Sequence, residues 1–170
     1  LPKDLTMTDA SSLTTSSRNA GFAQVDPRAP RFGAGITAVL LAAIIVLGPT
    51  SPVGLALLVV QTLAFAAGSL IGLQAQPWGI VYRTFVRPRL GPPAELEDAR
   101  PPRFAQTVGL VFALAGLAGF VFSLPVLFFI AVAFALVAAL LNAIFDFCLG
   151  CEVYLLGKRL FGARAARAAS

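Results

Sequence analysis

From Phe32 to Tyr82, and again from Phe104 to Phe145, the chain carries no Asp, Glu, Lys or Arg. A helix in water keeps a polar stripe toward solvent, and neither run has the charges to build one. At roughly 20 residues per membrane span, each run is too long for one helix and accommodates two. Gly48-Pro49-Thr50-Ser51-Pro52 interrupts the first run and Ser123-Leu124-Pro125 the second. Proline lacks the N–H that continues a helix, so both interruptions read as turns. The expected fold is an all-α integral membrane protein with four transmembrane helices, over about Phe32–Leu47, Val53–Leu73, Phe104–Phe122 and Val126–Phe147. The first is short for a span, so it tilts little or begins earlier. Composition excludes an ordinary soluble domain, since 58% of residues are hydrophobic and 12% charged, against about 45–50% and 25%.

Orientation follows from the thirteen basic residues. They fall before the first span (Lys3, Arg18, Arg28, Arg31), between the second and third (Arg83, Arg87, Arg89, Arg100, Arg103) and after the fourth (Lys158, Arg159, Arg164, Arg167). The two short turns have none. Four spans place these segments on one side, and the positive-inside rule makes that side cytoplasmic, with both termini there, in the cell (inner) membrane. Trp78, Tyr82 and Tyr154 suit the interfacial aromatic belt. A basic pI points to nucleic acid only when the basic residues share an exposed face; here they track the span ends, so no nucleic-acid partner is expected. Residues 1–25 read as a disordered, polar tail without the apolar core of a signal peptide. Residues 26–161 form the transmembrane domain. Residues 162–170 read as a basic tail, part of a stretch from Val153 suited to an anionic leaflet.

The domain is internally repeated. Asp26-Pro-Arg-Ala-Pro-Arg-Phe32 and Asp98-Ala-Arg-Pro-Pro-Arg-Phe104 match at five of seven positions, 72 residues apart. The same offset carries Val81-Tyr82 onto Val153-Tyr154 and Arg87 onto Arg159. Repeat one is taken as 26–90 and repeat two as 98–161, two hairpins related by an axis along the membrane normal. Arg28, Arg31, Arg100 and Arg103 then either start helices and contact lipid phosphates, or surround a vestibule that binds an anion bidentately. Small residues four apart, as in Ala64/Gly68, Gly109/Ala113 and Ala115/Gly119, allow close helix packing. Gln61, Ser69 and Asn142 are expected to hydrogen-bond between helices.

The reactive chemistry is confined to one segment. The chain has two cysteines and no histidine, which removes imidazole catalysis and most zinc sites. Cys148 and Cys151 form a C-x-x-C at the end of the fourth helix, between Asp146 and Glu152. Two thiolates do not complete a metal site unless a dimer shares one, so no metal or cofactor is expected. On the cytoplasmic side thiols stay reduced, so a structural disulfide is not expected. The pair reads either as small interface residues or as a reversible dithiol. A helix C-terminus beside two acids disfavours a thiolate, and the nearby basic residues would have to counteract it.

With Asp-Pro-Arg-Ala-Pro-Arg-Phe, Pro-Pro-Arg-Phe-Ala-Gln and Phe-Cys-Leu-Gly-Cys-Glu-Val-Tyr-Leu-Leu in view, the chain resembles a bacterial membrane family known as domain of unknown function 4395. The family is common in actinobacteria, and the resemblance covers about Val25 to Leu160. It brings no established activity. It implies association with thioredoxin-like and rhodanese-like sulfurtransferase proteins. The leading expectation is a dithiol that exchanges disulfide or sulfane sulfur with such a partner. The alternatives are a non-catalytic subunit of a larger membrane complex and a small-anion or sulfur-compound carrier.

Overall fold

The computed structural model describes residues 23–168, with side chains described through 161. Strand β1 is Gln24–Val25. Helix α1 spans Arg28–Leu47. Helix α2 runs Pro52–Ala66 and closes with a π-helical turn, Ala67–Ile71. Helix α3 begins at Pro77–Val81 and continues through a π-helical turn, Tyr82–Val86, to Arg87–Leu90. Strand β2 is Glu97–Asp98, and helices α4, α5 and α6 are Arg100–Val121, Pro125–Phe145 and Leu149–Ala168. Among the described residues, four helices are long and apolar enough to cross a membrane: Arg28–Leu47, Pro52–Ile71, Arg100–Val121 and Pro125–Phe145.

Both α1 and α4 start about one turn before the expected Phe32 and Phe104. Pro30, Pro101 and Pro102 lie in the first turn, where a missing N–H costs nothing. The preceding carboxylates hold the entry: Asp26 Oδ1 accepts the Arg28 N–H at 3.0 Å, and Asp98 Oδ1 accepts the Arg100 N–H at 2.9 Å. At the other end, α2 stops at Ile71 rather than Leu73, where Gly72 turns at φ 137°. The expected disordered tail is corrected at its end, because Gln24 and Val25 pair with β2; residues 1–22 lie outside the described residues. The tail expected from residue 162 is, through Ala168, the last part of α6.

Leu41 and Ile44 of α1, Leu58 and Phe65 of α2, Ala113 of α4, and Phe128 and Val132 of α5 form the apolar centre. Close approach is built in at Gly119, where a Cβ would come within 2.5 Å of the Phe128 backbone nitrogen. Polar side chains inside the bundle pair across helices. Gln61 Nε2 donates to Thr37 Oγ1 at 3.2 Å, and the Ser69 and Thr107 hydroxyls lie 2.7 Å apart. Asn142 makes no such bond to the described residues and instead faces a cavity.

The halves make matching contacts at the 72-residue offset. β1 and β2 pair antiparallel with Val25 opposite Glu97, its own counterpart, which is the register a two-fold relation produces. The Phe32–Tyr82 and Phe104–Tyr154 rings are each 5.7 Å apart, tilted by 49° and 46°. Helix α1 packs on α5, and α4 on α2. The repeat therefore extends to a third helix, α3 answering α6. The halves differ at their aspartates. Asp26 is buried and accepts the Tyr82 hydroxyl at 3.0 Å; burial first, then that carboxylate, raises the Tyr82 phenol above its ordinary range. Asp98 instead pairs with the Arg100 guanidinium, which holds its carboxyl below the usual range.

Candidate functional site

Helix α5 ends because Asp146 adopts a left-handed conformation, φ 56°, one that short polar side chains tolerate better than most. The next residue, Phe147, directs its N–H back to the Leu141 carbonyl at 3.2 Å. Cys148 then opens α6. Its carbonyl accepts the Glu152 N–H at 3.0 Å, and its Sγ accepts the Cys151 N–H at 3.3 Å. This is an N-cap arrangement with sulfur in the place of a capping oxygen.

The expected placement of the cysteines at the end of the fourth helix is thus corrected. They stand at the start of a new helix, and the local dipole changes sign. Free N–H groups and the positive helix end favour negative charge on Cys148, where the sequence reading put the disfavouring end. The acids expected to oppose a thiolate, Asp146 and Glu152, are exposed, so solvent screens them.

Cys148 and Cys151 are paired at disulfide spacing, where a structural disulfide was not expected. The turn brings their Cα atoms to 5.1 Å, inside the range a disulfide spans. Both residues are half-buried. The bond closes a very short loop, for which the chain-entropy account gives only about 2 kcal/mol of stabilisation.

Gly150 sets how closely this segment approaches α4. A Cβ there would lie 2.7 Å from both Cα and Cβ of Ala105. The counterparts of Gly150 and Ala105 in the first half are Trp78 and Gly33, so the large and small partners are exchanged between halves. Gly150→Ala is expected to lower the unfolding free energy by about 1–3 kcal/mol through overpacking. Adding Ala105→Gly should restore only part of it, because the contact with the Cα of residue 105 remains. Thermal unfolding in detergent micelles checks both, and an unchanged single variant would show that the contact is not close.

The four repeat arginines have distinct partners. Arg31 Nε and Nη2 donate to the carbonyls of Ala143 and Ile144, at 3.1 and 3.4 Å, at the end of α5. Arg103 Nε and Nη2 donate to Ser69 and Leu70, at 2.8 and 2.9 Å, at the end of α2. Each half therefore caps the last turn of the other half's second helix, supplying donors for carbonyls without intrahelical partners. Arg100 is held by Asp98, and Arg28 borders a groove with Arg31, Tyr82 and Ala143. Sequence reasoning identified these arginines by their repetition but did not find the exchanged caps. A motif recurring at the entry of each hairpin was the available signal.

The structure defines a helical protein with four helices able to cross a membrane and a disulfide at the start of a further long helix. The family model for domain of unknown function DUF4395 matches residues 25–159, and the chain belongs to that family. No curated protein and no solved structure matches it.

Proposed function

We propose that this is a multi-pass cell (inner) membrane protein, with cytoplasmic termini, whose Cys148–Cys151 pair cycles between disulfide and dithiol. It exchanges disulfide or sulfane sulfur with a cytoplasmic thioredoxin-like or rhodanese-like partner. The observation that carries this reading is the hydrogen bond from the Cys151 N–H to Cys148 Sγ at the N-terminus of α6. A sulfur so placed is a good thiolate and a good leaving group. Arg31 and Arg103 lie at the lipid headgroup level, where they also contact phosphates.

A second reading, a non-catalytic subunit of a membrane complex, draws on the Gly150–Ala105 contact, which packs the start of α6 directly against α4. Trapping in cells separates the two. Cys151→Ser is expected to accumulate mixed disulfides on Cys148 that disappear in the double Ser variant. A membrane-impermeant thiol reagent applied outside should label neither reduced cysteine. Absence of any trapped partner would leave the subunit reading, and labelling from outside would overturn the orientation.

A further inference from the structure

A cavity of about 340 Å³ opens beside Cys148, between α1, α4, α5 and the start of α6. Along α4 its wall runs from Pro102 to Phe112, about 15 Å into the bundle. It follows the relation between the halves, since Pro30/Pro102, Gly33/Ala105, Ala34/Gln106 and Thr37/Gly109 all line it as 72-residue pairs. Apart from Phe65 of α2, the other walls belong to the second half, where Gly150 replaces the tryptophan of the first. The lining is apolar apart from a few groups, and Phe112 and Phe134, both in the wall, are stacked with centroids 6.0 Å apart. Asn142, without a hydrogen bond to the described residues, joins Thr37, Gln106 and Cys148 as the polar features.

Apolar walls, aromatic faces and an amide donor within helices able to cross a membrane, with a half-buried sulfur just beyond the end of α5, fit a flat, lipid-soluble ring that bears carbonyl oxygens. The volume lies at the small end of ligand pockets and suits a ring whose tail remains in lipid. We propose that this cavity binds the ring of a membrane quinone, which serves as two-electron acceptor for the reduced Cys148/Cys151 pair. This assignment rests on the exchange reading above. The Cys148 thiolate adds to a ring carbon, forming an S–C bond and sending an electron pair to a carbonyl oxygen, where Asn142 donates. The Cys151 thiolate then attacks Cys148 Sγ. The S–S bond forms, the S–C bond breaks, and its electron pair passes to the ring. Two thiols have lost two electrons and two protons, and the quinone has gained both as hydroquinone.

Trp78 is the chain's one tryptophan, so binding can be read with the disulfide intact and no thiol available to react. A short-tailed para-benzoquinone added to the protein in micelles should quench its fluorescence saturably. Ala138→Phe, which fills the cavity, should raise the half-saturating concentration at least tenfold. In the reduced protein the same quinone should be converted to one hydroquinone per chain, and Asn142→Leu should slow this at least tenfold. Equal quenching and equal rates in wild type and both variants would overturn the assignment, as would displacement by a single-chain lipid with no quinone reduction. Exchange of the reduced wild-type chain with oxidised glutathione is measured in parallel. Exchange without quinone reduction removes the cavity assignment alone, whereas loss of both removes the exchange reading as well.

Discussion

Cys148→Ser is expected to abolish disulfide exchange in the purified, reduced protein, a loss of at least a hundredfold, while Cys151→Ser stalls at the mixed disulfide. The two cysteines are chemically unequal because only Cys148 Sγ receives a backbone N–H from the first turn of α6. A helix terminus contributes about 0.3–2 kcal/mol to a facing charge, and each 1.36 kcal/mol is tenfold in ionisation. Part of the gain in thiolate is returned as lower nucleophilicity. At pH 7, Cys148 in Cys151→Ser should therefore alkylate about three to ten times faster than Cys151 in Cys148→Ser. Its rate should level off at a lower pH than that of an ordinary thiol. Stopped-flow alkylation across pH checks this. Equal, slow rates, each rising through the range of an unperturbed thiol, would remove the basis for assigning Cys148 as the nucleophile.

Loss of the exchanged arginine caps should be a large stability effect outside the apolar centre, comparable with that of Gly150→Ala. Arg103→Ala leaves the Ser69 and Leu70 carbonyls without their guanidinium donors. Hydrogen bonds to charged groups contribute about 1.5–3 kcal/mol each, and partial exposure lets water recover some of that. A net cost of about 1–3 kcal/mol is expected for Arg103→Ala, and somewhat less for Arg31→Ala, whose bonds are longer. Lys in either position should recover only part, because an ammonium lacks the planar fork that reaches two successive carbonyls. Thermal unfolding in micelles at fixed detergent concentration makes the comparison. A change below about 0.5 kcal/mol for Arg103→Ala, the size of an ordinary surface substitution, would show that the caps are incidental.

The four helices able to span a membrane were legible in the chain because a span is a local property of about 20 consecutive residues. Each must be apolar by itself, and Pro52 and Pro125 mark where two of them begin. The hairpin entries were legible as well, since Asp26 and Asp98 act on N–H groups two residues away. Cys148 and Cys151 stood out as the only thiols, but their setting did not. The reversal at Asp146 puts a residue other than glycine in a left-handed conformation, which no composition or period announces. Whether the chain then starts a new helix depends on room beside Ala105, a residue more than 40 positions earlier. The sign of the dipole at Cys148 is therefore a tertiary decision. The same holds for the exchanged arginine caps and for the cavity. Each depends on which helix ends and faces meet across the two-fold relation, a matter settled by packing between segments far apart in the chain.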